Sequence, residues 1–294
     1  MMAAMSFAFV DAPLDRAEHL RSDPAALAAL WPRARLLLLD ADGQALAGAG
    51  DGLLAVEGAE VAGALPAEAV FLGLHGERGW FALPAEGAGV EAPGRINLCA
   101  AAALWPVREA TAFAQARAVL HWRARHRYCG ACGGPLEFMR AGWLGHCARC
   151  AIEHYPRTDP AVIVSVSDGE RLLLGREAAW PARRWSVLAG FVEPGETLEQ
   201  TVMREVFEES AVRVRACRYL GSQPWPFPSS LMLGFEADAE PDEPVPNTDE
   251  LEDARWFTRD EIGAALRGES GDDGILLSPT VSISRWLIER WHRA

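Results

Sequence analysis

The segment GFVEPGETLEQTVMREVFEESAV, Gly190 to Val212, concentrates acid where a helix is expected. Pro194 and Gly195 suit positions i+1 and i+2 of a type II turn, and Thr197 with Gln200 forms a capping box, so a helix should run from about Leu198 to Ser210. At about 100° per residue Leu198, Val202 and Val206 make the stripe that packs on a sheet. Glu205 and Glu209 then lie on its edge, with Glu208 alongside and Arg204 as the one interleaved cation. A solvated acidic face is the usual reading of such a helix. Here the repulsion sits beside the apolar stripe, where divalent cations relieve it. Hard carboxylate oxygens suit Mg²⁺ or Mn²⁺ and hence a phosphate substrate.

Two further sets of residues carry chemistry. C-x2-C pairs at Cys129/Cys132 and Cys147/Cys150, fourteen residues apart, have the spacing of a zinc ribbon. Four thiolates fill a tetrahedral Zn²⁺ and leave no position for catalysis, so one structural zinc per chain is expected. Two disulfides or a redox pair are the alternative. Cys99 and Cys217 stand alone and are expected to be buried small residues. The run SQPWPFPSS, Ser222 to Ser230, holds three prolines that remove three backbone donors, so a stiff extended loop is expected rather than a central strand. Trp225 and Phe227, spaced by two, should project to the same side, either as a hydrophobic plug or as a platform for a flat ligand.

The surrounding pattern supplies the elements. In 294 residues of which half are apolar there is room for two domains with a sizeable core. ARLLLLDADGQAL (34–46) and AVFLGLHGERGWFAL (69–83) read as hairpins of a β-rich N-terminal domain. EATAFAQARAVLHWRARH (109–126) reads as a connecting helix burying Phe113, Ala116, Leu120 and Val119, AVIVSVSDGERLLLGRE (from 161) as another hairpin, and SISRWLIERW (282–291) as a closing helix. The expected domains are 1–125, 126–156 and 157–294. Net charge is −13, against a general nucleic-acid-coating surface. One island departs from this: residues 117–157 carry seven arginines and two acids, suited either to RNA phosphates or to a solvated or dimer-facing surface. All 28 basic residues are arginine, which excludes Schiff-base chemistry and a lysine-dependent phosphate loop. The first residues lack a basic signal region and no apolar run approaches the ~18 residues of a membrane span, so a cytoplasmic chain with no membrane partner is expected.

The acidic segment resembles the Nudix box, G-x5-E-x7-R-E-U-x-E-E-x-G-U, at Gly190, Glu196, Arg204, Glu205, Val206, Glu208, Glu209 and Val212, with Ala211 where the family usually has glycine. Within that superfamily the order of β-rich domain, four-cysteine ribbon and SQPWPFP resembles the NAD(H) pyrophosphatases, which include NAD-capped RNA hydrolases. The resemblance implies an α/β fold, a Nudix α/β/α sandwich with a mixed sheet, preceded by a zinc ribbon and a β-rich domain. It implies metal-dependent hydrolysis of NAD(H) to nicotinamide mononucleotide and AMP, with removal of the NAD cap from RNA, by a homodimer. Glu209, Glu205, Glu208 and Arg204 would be catalytic. Two or three Mg²⁺ or Mn²⁺ would lie on the Ala189 carbonyl, Glu205, Glu209 and Glu250. Substrate would meet Tyr155, Phe191, the loop residues Gln223, Pro224, Trp225, Pro226, Phe227, Pro228, Ser229 and Ser230, and Ser284. The rivals are a Nudix hydrolase of ADP-ribose or dinucleoside polyphosphates, and a non-catalytic zinc-ribbon RNA-binding protein. SQPWPFPSS disfavours the first and intact Glu205, Glu208 and Glu209 the second.

Overall fold

A computed structural model describes residues 7–269, 271 and 274–294. Its contacts divide the chain into two compact units. One comprises Phe9–Thr158 with Trp225–Ser229; the other comprises residues up to Ala8, Asp159–Pro224 and Ser230–Ala294.

In the first unit, helix α1 (Pro24–Leu30) precedes strands β1 (Arg35–Leu39) and β2 (Ala45–Ala47). Helix α2 (Gly58–Val61) and strands β3 (Val70–His75), β4 (Arg78–Pro84) and β5 (Gly94–Ile96) follow. Both expected hairpins form: β1 pairs antiparallel with β2 and β3 with β4, in a sheet ordered β3-β4-β1-β2-β5. The β1–β4 contact is parallel and joins the two hairpins, a non-local pairing that neither hairpin pattern announces. Trp31, Phe71 and Phe81 fill the core against this sheet. Helices α3 (Leu98–Leu104) and α4 (Val107–Arg125) come next. Helix α4 buries Phe113, Ala116 and Val119 as its spacing requires, and also Trp122, while Leu120 is only partly buried. Strands β6 (Leu136–Met139), β7 (Leu144–Cys147) and β8 (Glu153–His154) make a small antiparallel sheet that carries the cysteine pairs.

The second unit is built on β9 (Asp159–Ser167), buried on both faces from Ala161 onward, as a central strand must be. It pairs antiparallel with β10 (Arg171–Arg176), closing the expected hairpin, and with β12 (Leu188–Phe191). Its other edge pairs in parallel with β14 (Ser230–Ala239), Leu233 opposite Val162. The sheet runs β13 (Val214–Trp225), β14, β9, β10, β15 (Asp253–Thr258), so it is mixed. A short β11 (Arg184–Trp185) pairs with β16 (Leu276–Leu277). Because side chains alternate along β9, its two faces take different helices. Val162, Val164 and Val166 meet Val202 and Val206 of α5 (Leu198–Ser210). On the other face Ser167 accepts from Trp291 of α7 (Ile283–Arg293), 3.0 Å away. Helix α6 (Arg259–Arg267) packs beside α7, completing two helical layers around one sheet. Cys217 is half-buried, and Cys99 is exposed, contrary to the burial expected of it: it lies at the second position of α3, where only Leu98 and Ala101 turn inward.

Candidate active site and zinc ribbon

Helix α5 begins and ends as its sequence dictates. The Thr197 side chain accepts from the Gln200 amide, and Gln200 returns a carboxamide oxygen to the Thr197 amide. Gly195 has φ +97°, the second position of the turn before it. The helix seats its stripe on β9 and β12, which puts Glu205 and Glu209 at the sheet margin. Gly190 on β12 is required there: a Cβ at this position would lie 1.9 Å from the Glu205 carboxyl carbon, so the carboxylate rests directly against the β12 backbone one residue from the Ala189 carbonyl.

Arg204 holds the cluster together. Its Nε and Nη2 donate to both oxygens of Glu196, at 2.6 and 2.9 Å, while Nη1 reaches Glu205 and Glu208, each at 2.9 Å. Nη2 also donates to the Phe191 carbonyl at 3.0 Å, tying the helix to the end of β12. The Arg204 guanidinium holds the Glu196 carboxyl at about 2. Glu209 is treated differently. It is only 8% exposed, and among the described residues its Oε2 is buried without a hydrogen-bond partner. Burial, then the charges of Glu205, Glu250 and Glu177, push its carboxyl up to about 8. Glu205 is raised too, chiefly by burial, with Arg204 opposing. The acidic loop is strapped to the end of α5: the Asn247 amide donates to the Glu209 carbonyl at 3.0 Å, and the Glu250 amide donates to the Asn247 carbonyl at 3.0 Å. A buried acceptor with no donor, beside two more carboxylates, is what a hard cation would satisfy, so the residues present fit a divalent metal.

The ribbon is separate chemistry. The four Sγ atoms of Cys129, Cys132, Cys147 and Cys150 all lie within 4.8 Å of one another. Each pair sits in a tight turn: the Gly133 amide donates to the Cys129 carbonyl and the Ala151 amide to the Cys147 carbonyl. Amides also point at sulfur. Those of Ala131 and Cys132 draw the Cys129 thiol down to about 7, and that of Cys150 does the same for Cys147. Four sulfurs converging in a tetrad of this size fit zinc, not two disulfides. His154 Nε2 lies 3.4 Å from the Cys129 sulfur, where a ring N–H can orient the thiolate.

The aromatic loop departs from expectation in shape. Residues 226–229 form a turn joining β13 to β14, with the Phe227 amide donating to the Trp225 carbonyl at 2.8 Å, and the Phe227–Pro228 bond is cis. Pro224 falls on β13, an edge strand, which has room for a residue without a donor. Trp225 and Phe227 do lie on one side, their centroids 4.9 Å apart. Pro226 is buried, its carbonyl accepting from Arg117, whose guanidinium carbon lies 4.7 Å from the Phe227 centroid. Pro228 is exposed, and Ser229 and Ser230 are partly buried. Gln223 is fully buried; its amide donates to the carbonyls of Ala8 and Val281 and accepts from the Ile283 amide. Ser284, 2% exposed, shares a buried hydroxyl chain with Ser186 at 2.8 Å and Ser278 at 3.1 Å. Phe191 and Tyr155 are 59% and 58% exposed, the Tyr155 hydroxyl donating to Glu153.

The NUDIX domain family matches residues 156–277, and the NADH pyrophosphatase zinc ribbon domain matches 124–155. Proteins described as NAD-capped RNA hydrolase NudC from Mycobacterium bovis and Mycobacterium tuberculosis are 42% identical over 94% of this chain and 92% of theirs. A NudC from Stutzerimonas stutzeri is 44% identical over 57% of this chain and 56% of its own. A solved NUDIX hydrolase from Nitrosomonas europaea, 26% identical, spans 56% of this chain and 93% of its own with a TM-score of 0.44. The chain belongs to the Nudix hydrolases that carry this zinc ribbon.

In this Nudix hydrolase the residue that breaks the family pattern adopts the conformation the missing glycine would take. Ala211 caps α5 at φ 58°, ψ 11°, left-handed. Sequence reasoning passed over Glu177, just after β10, whose charge reaches Glu209 only through the fold. It also passed over Ser186 and Ser278, the neighbours of Ser284, and the placement of Arg117 on Phe227. The contacts of Glu177, Ser186 and Arg117 are long-range with no local signature, and that of Ser278 spans six residues across a loop.

Proposed function

We propose that the chain hydrolyses the pyrophosphate bond of NAD(H), yielding nicotinamide mononucleotide and AMP, and removes the same cap from RNA to leave a 5′-monophosphate. The observation that carries this reading is Glu209: a nine-tenths buried carboxylate with an unsatisfied oxygen, flanked by Glu205 and facing the acidic loop of Glu250. The Ala189 carbonyl with Glu205, Glu209 and Glu250 would hold two or three Mg²⁺ or Mn²⁺. When bound, these cations neutralise phosphate charge and acidify water. Arg204, locked onto Glu196, keeps Glu205 and Glu208 aimed at that centre. A water oxygen bonds one phosphorus, the bridging P–O bond breaks, and a carboxylate of the cluster takes the water's proton. Phe191 in one unit is exposed and offers a face for a planar ring; separately, in the other unit, so do Tyr155 and the Trp225–Phe227 pair. We extend to this chain the homodimer that the family resemblance implies and the cytoplasmic location expected from its sequence; among the described residues no helix is long and apolar enough to cross a membrane.

The test is to incubate the full chain with NADH, ADP-ribose and NAD-capped RNA in Mg²⁺ or Mn²⁺ and to weigh the products. Nicotinamide mononucleotide with AMP, and a 5′-monophosphate RNA, are expected, with ADP-ribose cleaved less efficiently. Cleavage of ADP-ribose alone would assign a different substrate, and cleavage of none would remove the enzymatic reading. Light scattering decides the dimer.

A further inference from the structure

The arginines of the 117–157 island differ from those elsewhere in what they touch. Across the chain arginine is commonly paired with acid: Arg78, Arg171, Arg176, Arg204 and Arg213 each have a carboxylate within 4.0 Å. Within the island Arg140 pairs with Glu18. Arg117, Arg123 and Arg149 instead give hydrogen bonds to the carbonyls of Pro226, Glu68 and Cys132. Among the described residues the exposed side chains of Arg125 and Arg127 have no carboxylate partner at all. In a chain of net charge −13, uncompensated cations gathered at the end of one helix mark the place where a polyanion is attracted rather than repelled.

The same place is concave. Arg123 in the last turn of α4 and Arg127 just past its end border a cleft of about 350 Å³ floored by Leu120, Leu136 and Phe138, with Glu68 as its one acid. That volume falls in the ~300–1,000 Å³ range of small-ligand clefts, enough for a nucleotide. Arg123 is fixed there: its guanidinium carbon lies 4.6 Å from the Phe138 centroid, and its Nη1 donates to the Glu68 carbonyl at 2.6 Å. Phe138 is in turn braced edge-on by Trp122, 5.5 Å away. An apolar floor beside a fixed planar cation accepts a base, and exposed Arg127 at its rim, with exposed Arg125 two residues before it, accepts phosphates.

We propose that this cleft is a subsite for single-stranded RNA, Arg125 and Arg127 contacting the phosphodiester backbone while one unpaired nucleotide lies over Leu136 and Phe138 beside Arg123. This rests on the reading that the enzyme acts on capped RNA. It adds that RNA is held by the helix–ribbon junction and not only by its cap.

The decisive protein is the full-length Arg125→Gln, Arg127→Gln double variant, in which only exposed, unpaired side chains change. Expected are unchanged kcat/KM for NADH, about tenfold lower kcat/KM for a short unstructured NAD-capped RNA, and a shallower salt dependence of binding. For the last, the slope of log Kd against log[KCl] for the same RNA bearing a 5′-monophosphate should drop by about 0.7 for each phosphate that an arginine no longer neutralises. Glu68→Gln should shift RNA affinity the other way. Equal losses on NADH and RNA, an unchanged salt slope, or a double variant whose mass by light scattering falls from dimer to monomer would each overturn the proposal, the last by showing that a second copy covers this face. If wild-type protein cleaves no capped RNA, the functional reading fails, yet the monophosphate RNA titration still decides whether the cleft binds a strand.

Discussion

Glu209 is the residue whose energetics and chemistry pull in opposite directions. Its carboxyl, raised from the ordinary 4.5 to about 8, favours the neutral form in the metal-free fold. Between these values the folded chain binds a proton that the unfolded chain has released, so stability falls as pH rises through the window and levels off above it. In EDTA the Tm should therefore decline from pH 5 towards pH 8, an excess of Mg²⁺ should reverse the decline by favouring the carboxylate, and Glu209→Gln should remove this component of the slope. A slope identical in the variant would show that another group is responsible. The same substitution should lower turnover by about 10²–10⁴-fold while the protein stays folded, because Gln matches Glu in shape but not in charge. Gly190 offers a complementary change. Gly190→Ala places a methyl where the Glu205 carboxylate now rests, so activity should fall with Glu205 itself intact, and a decrease comparable to that of Glu205→Gln is the expected readout.

Elements whose logic is local are legible in the sequence. The Thr197–Gln200 capping box, the hairpin at Asp168 and Gly169 and both cysteine turns depend on residues within a few positions of each other, and all form. The Pro-rich run takes a shape other than the expected one because three prolines equally suit an extended loop and a tight turn on an edge strand; which one forms depends on β14 pairing with β9, some 70 residues away. The end of α5 tests a departure from the family. Ala211 holds a left-handed conformation that costs a β-carbon about 1 kcal/mol, so Ala211→Gly should raise the Tm by about 2–4 °C without altering kcat; no gain would mean the cap tolerates alanine freely. The aromatic turn tests recognition. Phe227→Ala should cost about 1–3 kcal/mol, roughly tenfold to a hundredfold, in kcat/KM for NADH, and less for ADP-ribose, which lacks the second ring. Proportional losses on both substrates with a large fall in Tm would make Phe227 a plug beneath Arg117.

For the whole molecule, chain order and spatial order diverge, and no local pattern gives notice of it. Reading along the chain suggests successive segments, yet residues 225–229 cluster with Phe9–Thr158, while the residues up to Ala8 cluster with Asp159–Ala294 apart from that turn. The ribbon's metal belongs to the same scale, since it closes a loop between distant turns. Purified protein should contain one tightly held Zn²⁺ per chain by elemental analysis, distinct from the exchangeable metals of the Glu cluster, and oxidised thiols without zinc would contradict the ribbon. The earliest described residues have the latest partners. The Ala8 amide donates to the Val281 carbonyl, Ala8 accepts from Gln223, and Phe7 packs edge-on against Trp286 at 5.5 Å. During translation, then, Phe7 and Ala8 are made long before α7, and their docking waits until that helix has emerged. Nascent chains stalled before that helix should leave the backbone around Phe7 and Ala8 open to protease, and synthesis of α7 should close it.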